Sequence, residues 1–296
     1  MGGTINRVSV LRPILLTALC AALSQSPAAV PLRVSASGTV VQPGTVLLLT
    51  VASADPVTVV RARAFGRDLS PFRIDSRTWR VLVGVDLDVK PGKYTVEIDE
   101  GLPASATTHV LTVTPRRFGT RALKVDPALV TPPPDAMERI AQEAARLHRL
   151  WEAPATSRVW RGPFLRPVPD VANSSFGTRS IYNGVPRAAH GGTDFLSPAG
   201  RPIKAPNGAR VALAEPLYFT GGTVVLDHGA GVLSIFAHLS TIAVREGDEV
   251  KTGDLIGEVG ATGRVTGPHL HWAVRVSGAR VDPLSLLSAL TDLPDR

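Results

Sequence analysis

Apolar and polar residues alternate in short runs between residues 32 and 114, and turn residues punctuate them. The runs lie at 32–36, 45–51, 57–63, 72–74, 78–85, 94–98 and 110–114. Gln42-Pro43-Gly44, Asp55-Pro56 and Lys90-Pro91-Gly92 separate several of them. Alternate side chains of a strand face opposite sides, so these runs are strand-like, and none carries the helical period of 3.6. About seven short strands in this span predict an immunoglobulin-like β-sandwich over residues 31–115, with Trp79 packed between its sheets. No constellation of reactive side chains stands out there, so the expected role is structural or substrate-positioning.

The pattern changes at residue 116. Arg116-Arg117 and Thr131-Pro132-Pro133-Pro134 mark a linker. Over 135–151, Met137, Ile140, Ala141, Ala144, Leu147 and Trp151 recur at helical spacing. Asp135 suits the N-cap, and Arg146, His148 and Arg149 suit the C-terminal end of the helix dipole. Residues 116–158 are therefore expected to be a linker carrying an amphipathic helix that packs across a domain. A helix shielding a catalytic groove, as pro-segments do, is the alternative. From 159 onward the pattern is β again, with runs at 193–196, 202–205, 208–214, 222–227 and 231–237 between glycine-rich turns. The fold class is all-β, in two domains joined by a helix-containing linker.

Composition sets the context. A chain of 296 residues with 44% hydrophobic and 19% charged residues is globular and long enough for two cores. Arg7 and Arg12 precede an apolar stretch at 13–23 that is too short for a comfortable membrane span. Residues 1–24 read as a secretory signal with cleavage before Gln25. Cys20 raises a lipoprotein question, but Leu19 departs from the small residue expected before a lipidated cysteine. The net charge is +7, and removing the two basic residues of the leader leaves 7 − 2 = +5. That mild basic bias suits an anionic envelope polymer, and no nucleic-acid motif is present. No later segment is apolar for long enough to cross a membrane. The expected location is exported, periplasmic or envelope-associated, with a lipoprotein form disfavoured.

The chemistry concentrates in three pieces: His190-Gly191-Gly192-Thr193-Asp194, Phe236-Ala237-His238-Leu239-Ser240 and Gly267-Pro268-His269-Leu270-His271. Catalytic zinc is usually held by three protein ligands, often two His and one carboxylate, with a fourth position for water. A structural site would close with four ligands and commonly uses Cys, and this chain has one Cys, far away. Residues 268–276 read as a strand ending at Ser277-Gly278, so His269 and His271 project to one face and Leu270 to the other. One of the two can ligate a metal while its neighbour reaches bound water.

These pieces, with Val224-Val-Leu-Asp-His228-Gly229, Gly247-Asp-Glu-Val250, Gly253-Asp-Leu-Ile-Gly257 and Gly260-Ala-Thr-Gly263, resemble in order and spacing the lysostaphin/LytM-type (M23) zinc metallopeptidases. Ser175-Phe176-Gly177-Thr-Arg179 is similar to that family's domain entry. The resemblance covers about residues 160–290, and an ordered set of motifs is far more specific than one His-x-His. It implies a C-terminal antiparallel β groove domain at 159–290 that takes an extended peptide. It also implies Zn²⁺ held by His190, Asp194 and His271, with His238 and His269 as the catalytic pair. The implied substrate is a peptide bond of bacterial cell-wall peptidoglycan. No Glu sits in a His-Glu-x-x-His motif, so general-base work falls to histidine. A non-catalytic envelope protein that binds peptidoglycan or activates another hydrolase is the alternative, and the five retained positions count against it. A zinc-storage module is disfavoured by the lack of a His-rich or Cys-rich tract.

The remaining candidates carry bland expectations. His109 and His148 are read as surface residues, and His228 as a turn or hydrogen-bonding residue. Asp227, Asp248, Glu249, Asp254 and Glu258 are read as turn or solvated acids, and Asp282-Pro283 resembles the M23 family's closing segment, which implies a structural Asp282. Asn183, seven residues before His190, is a candidate substrate contact through its amide, with a turn role the favoured reading because loop Asn is common in turns.

Overall fold

The structure is a computed structural model that describes residues 1–3, 32–101, 106–125, 130–174 and 176–293. The apolar leader at 1–24 with Cys20 lies outside the described residues, apart from its first three positions. Among the described residues, no helix is long and apolar enough to cross a membrane.

The first region is built from β1 (Leu32–Ala36), β2 (Val40–Val41), β3 (Val46–Ser53), β4 (Arg61–Ala64), β5 (Arg67–Leu69), β6 (Phe72–Arg73), β7 (Thr78–Gly84), β8 (Gly92–Asp99) and β9 (Thr107–Val113). They form two sheets, in the orders β1-β3-β7-β6 and β2-β9-β8-β4-β5. Leu49, Val51, Val81 and Val83 from one sheet meet Val96, Ile98 and Leu111 from the other in a dry core. Trp79 shares the inner side of β7 with Val81 and Val83, but it sits at the strand end and is only partly buried.

Two of these strands are apolar on both faces. Val46, Leu48 and Leu82 alternate with Leu47, Leu49, Val81 and Val83, and the first group points away from the sandwich core. An unbroken apolar run marks a strand buried on both sides. The second face is covered by the C-terminal region. Phe72 meets Trp160 edge-on at 5.2 Å between centroids, and the Arg158 guanidinium lies 4.8 Å over the Phe72 ring. Arg280 binds both oxygens of buried Asp86 and one of Asp88. The sandwich therefore docks through apolar area and one ion-pair cluster.

The second region contains β10 (Thr120–Leu123), α1 (Met137–Glu152), β11 (Ala172–Ser174), β12 (Arg179–Tyr182), β13 (Val185–Pro186), β14 (Gly192–Phe195), β15 (Pro202–Lys204), β16 (Ala209–Leu217), β17 (Gly221–Gly229), β18 (Val232–Ile242), β19 (Glu249–Val250), β20 (Leu255–Val259), β21 (Leu270–Val276), β22 (Ala279–Val281) and α2 (Pro283–Leu290). The main sheet runs β11-β14-β21-β18-β17-β16-β19, with β15, β20 and β22 paired beside it. β10 pairs in parallel with β12, so part of the expected linker is a strand. The described residues are mostly β, with two α-helices among them.

Helix α1 differs from its sequence reading in two ways. Asp135 makes no capping hydrogen bond and sits in a 3-10 turn at Pro134–Ala136. The packed side is carried by Leu147, Leu150 and Trp151 against Leu213, Leu217, Val225 and Leu233, while Met137, Ala141 and Ala144 face solvent. Polar ties set this rotation: Glu143 accepts from the Tyr218 backbone N–H, and Arg146 pairs with Glu215 and Glu246. α1 thus lies on the outer side of β16, β17 and β18.

Candidate metal centre and its groove

Three adjacent antiparallel strands assemble the site. Asp194 on β14 is in register with His271 on β21, and His271 is in register with Ala237 on β18. His190 precedes β14, and its backbone is clipped in place: its carbonyl accepts from Gly177 N–H at 2.8 Å and its N–H donates to Thr178 at 2.9 Å. The segment beginning at Phe176, itself buried, therefore holds His190 against the strand pair. Gly192 has a specific reason to be glycine. A Cβ there would lie 2.5 Å from the Trp272 carbonyl oxygen and 2.8 Å from the His271 ring. The neighbouring Gly191 faces open space.

His190 Nε2, Asp194 Oδ1 and His271 Nδ1 converge, at 3.0, 3.0 and 2.9 Å from one another. Each side chain is largely buried, with 13–18% of its surface exposed. Burial opposes ionisation of Asp194, but hydrogen bonds and charge from His190 and His271 outweigh it and hold the carboxyl far below its usual range. Burial pushes His271 down, with partial opposition from Asp194. Two imidazole nitrogens and a carboxylate oxygen aimed at one point are the donor set that zinc takes in open sites, so these residues fit the ion.

His238 and His269 stand beside this trio. Their ring centroids are 4.8 Å apart, and His238 lies 6.1 Å from His271. His269 precedes β21, and its neighbour Leu270 is fully buried on the opposite side. His269 Nδ1 donates to the Gly267 carbonyl at 2.9 Å, and Nε2 lies 3.9 Å from Asp194 Oδ1. His238 Nδ1 donates to the Thr262 carbonyl at 2.9 Å. A carbonyl only accepts, so both rings carry hydrogen on Nδ1 and present a lone pair at Nε2. Burial lowers the His238 pKa to about 3.

His238 reaches the groove by irregular backbone. The register between β17 and β18 shifts between Gly222 and Val224, and His238 has φ 69°. A left-handed non-glycine residue at a bulge costs about 1–3 kcal/mol and re-aims the side chain. Two neighbours hold it there: His238 N–H donates to Thr220 at 2.8 Å, and the Thr262 loop packs on Gly221, which has φ 59°.

All five residues line one groove of about 480 Å³, together with Arg121, Leu123, Val125, Tyr182, Leu196, Thr220 and the Arg264–His269 loop. No residue of α1 lines it, so the shielding alternative does not describe this structure. The β10 strand does line it, which sequence reasoning missed. The same holds for Thr262, whose carbonyl fixes His238. A backbone carbonyl leaves no mark in residue identity.

The remaining candidates are placed as follows. His228 is fully buried on β17, with Nδ1 donating to Gly208 and Nε2 accepting from Ser234 Oγ, and burial lowers its pKa to about 4. His148 is exposed beside Glu152, and His109 is half-buried on β9. Asp227 accepts from Gly229 N–H and Ala155 N–H, and Asp248 and Asp254 close exposed turns. Glu249 is exposed on β19, and half-buried Glu258 accepts from the Thr241 hydroxyl. Asp282 caps α2 and pairs with Arg116. Asn183 takes the turn role favoured for a loop asparagine, not the substrate contact. Its amide is spent on the Val125 backbone N–H and carbonyl, and it sits at φ 50° before Gly184 in the tight turn between β12 and β13. It is a turn residue that ties down the end of β10.

Residues 188–283 match the family model for peptidase family M23. A crystal structure described as a candidate peptidase M23 from Pseudomonas aeruginosa superposes with a TM-score of 0.66 at 32% identity, covering 83% of this chain and 95% of that one. The chain belongs to peptidase family M23. Among curated M23-like relatives, the peptidoglycan DD-endopeptidase ShyA of Vibrio cholerae is 38% identical over 113 residues, 38% of this chain. The DD-carboxypeptidase/endopeptidase Mpg of Neisseria meningitidis is 39% identical over 97 residues, 33% of this chain. The matched stretch spans about a quarter of these relatives: 26% of the first and 22% of the second.

Proposed function

We propose that this M23 protein is a zinc metalloendopeptidase that hydrolyses peptide bonds of bacterial cell-wall peptidoglycan in the envelope of an exporting bacterium. The observation that carries the reading is the convergence of His190 Nε2, Asp194 Oδ1 and His271 Nδ1 beside two imidazoles that both present Nε2. Relatives named as peptidoglycan endopeptidases support the substrate class.

His190, Asp194 and His271 would hold the zinc. Zinc in such a site supplies Lewis-acid polarisation of a carbonyl and acidifies a water molecule. The chain's own residues do the rest. The groove positions an extended peptide across the strand ends. His238 and His269, each fixed through Nδ1–H, offer Nε2 to take a proton from the attacking water and return it to the leaving amine. A ring that has taken that proton carries an Nε2–H, which donates to the developing oxyanion. The Thr262 and Gly267 carbonyls fix the tautomer, so neither ring needs to reorganise during turnover.

Three finer readings belong to the same proposal. Residues 1–24 form a signal peptide. Residues 31–115 form an immunoglobulin-like sandwich, a reading supported by two facing sheets with a shared core. Residues 116–158 connect it to the peptidase domain at 159–290.

A zymogram on purified peptidoglycan tests the reading. Clearing by the wild type, lost with a chelator and lost in His190→Ala, is the expected result. Clearing that persists with chelator would sink the metal mechanism, and wall binding without clearing would favour the non-catalytic alternative.

A further inference from the structure

We propose that Arg116 is a positioning residue for the metal centre: from outside the groove it holds His190 and Asp194 in the arrangement that binds zinc. The inference rests on the reading of His190, Asp194 and His271 as zinc ligands. It adds a residue far upstream of the 188–283 stretch that matches the family.

The three ligands are not held in the same way. Asp194 and His271 are in register on paired strands, β14 and β21. His190 precedes β14, and its main chain is tied to a loop instead. Gly177 N–H donates to its carbonyl at 2.8 Å, and its own N–H donates to the Thr178 carbonyl at 2.9 Å. Whatever fixes residues 176–178 therefore fixes His190.

Arg116 fixes that loop through stacked rings. Its guanidinium lies 5.2 Å over the Phe118 ring and 5.8 Å over the Phe176 ring. The two rings meet edge-on at 6.2 Å, and Phe176 is buried. Phe118 fills the space a side chain would take at Gly177, where φ is 84° and a Cβ would lie 2.1 Å from the ring. A cation shared between two ring faces draws both toward one position. That position sets where the Gly177 N–H points.

The same guanidinium reaches Asp194 through a carboxylate. Arg116 Nη2 donates to Asp282 Oδ2 at 3.1 Å, and Nη1 donates to the Pro43 carbonyl at 3.1 Å. Asp282 Oδ1 accepts from the Leu284 N–H at 3.1 Å and faces the Thr193 hydroxyl at 3.5 Å. Thr193 is buried and directly precedes Asp194 on β14. Successive side chains of a strand face opposite sides, so Asp282 supports β14 from behind the metal trio. The Asp282 side chain is 14% exposed, and among the described residues Arg116 is its ion-pair partner. Without that cation a largely buried carboxylate turns toward water and releases Thr193. Lysine supplies the charge but not the planar fork that spans Pro43, Asp282 and both rings. Arg116 does not line the groove, so it acts on ligand placement and not on substrate.

The test measures zinc affinity of the full chain by competition with a chromophoric chelator, together with the visible spectrum of the cobalt(II)-substituted protein. Arg116→Gln should weaken zinc binding about 10–100-fold, the range for groups that orient metal ligands, and should change the cobalt spectrum. Arg116→Lys should recover part of the loss. Thr193→Val and Phe118→Leu cut the two branches one at a time, each with a smaller loss. Combining either with Arg116→Gln should add less than its own loss, because both act along one linkage. Arg146→Gln breaks a comparably exposed ion pair on α1 and should leave affinity and spectrum at wild-type values. Wild-type affinity and spectrum in Arg116→Gln overturn the proposal. If Arg116→Gln does not fold, wild-type values in both Thr193→Val and Phe118→Leu overturn it. An equal loss in Arg146→Gln assigns the effect to general stability and overturns it too. Each of these outcomes leaves the peptidase reading standing, whereas a wild-type chain that binds no zinc overturns the ligand reading and the proposal together.

Discussion

The two regions bury apolar cores of the same kind and differ in the polar groups they take inside. In residues 32–115, Asp86 is the one buried polar side chain among the described residues, and it turns toward Arg280 of the other region. The C-terminal region buries Thr193, Asn207, Thr223, His228, Ser234 and His238, among others. A buried polar group costs free energy unless it is hydrogen-bonded, and the six named here are bonded. Asn207 holds the Arg161 and Pro163 carbonyls, and His228 bridges Gly208 and Ser234. The left-handed His238 adds a strained residue to the same region. The sandwich is built for stability, whereas the groove region accepts polar burial and strain to fix its imidazoles.

Four measurements break or sharpen that contrast, taken from the largest expected effect to the smallest. Replacing either presenting histidine is first. His238→Asn, chosen because Asn tolerates the left-handed backbone, and His269→Ala should each lower turnover about 10²–10⁴-fold. Zinc content should stay near wild type, and the double variant should lose less than the product, because both rings serve one transition state. Unchanged turnover in both single variants would remove the stated reason for the strain at His238.

A cavity in the sandwich should cost stability without touching the site. Leu49 is fully buried, and Leu49→Ala should destabilise by about 2–5 kcal/mol in denaturant unfolding. Zinc affinity and kcat of the remaining folded protein should be unchanged. A parallel loss of zinc affinity would show that the sandwich shapes the metal centre, and the contrast would fail.

Acid should act on the groove region through His228. Its pKa is about 4 in the fold against 6.5 for a free imidazole. The unfolded chain therefore takes up a proton as pH falls through 6.5, while the folded chain resists until about pH 4. This group's contribution to stability is complete above pH 6.5 and is lost as pH drops to about 4, by about 3 kcal/mol. Thermal unfolding of wild type and His228→Gln across that range checks it. The variant should be less stable at pH 8 and show a shallower decline toward pH 4. An identical slope in both proteins would move the acid sensitivity elsewhere.

The smallest effect is expected where the regions meet. Asp86→Ala leaves Arg280 with Asp88 alone on this surface, and about a third of the Arg280 side chain is already exposed. The cost should fall between that of a buried and a surface pair, about 2 kcal/mol. Limited proteolysis should then cut faster between the regions than within them. Protection equal to wild type would assign the docking to the apolar contacts of Phe72, Leu82 and Trp160 alone.

The sequence by itself determined the parts that depend on local periodicity and residue chemistry. Period-two runs separated by turn residues gave strands in both regions, and His269-Leu270-His271 placed two imidazoles on one side of a strand end. Helix α2 was not read from the sequence, although Asp282 followed by Pro283 is a local start signal that could have marked it. Only the tertiary structure decided what depends on distant backbone. Which glycine of the Gly191-Gly192 pair is needed follows from the approach of β21. That His238 faces the groove follows from a bulge set by β17, and its tautomer follows from the Thr262 carbonyl. The rotation of α1 was misread because Glu143 and Arg146 find partners far away in sequence. The groove wall was missed because β10 gains its place by pairing with β12, 59 residues on at Arg121 and Ser180. Periodicity reports which side of an element is apolar, and only folding reports which backbone stands against it.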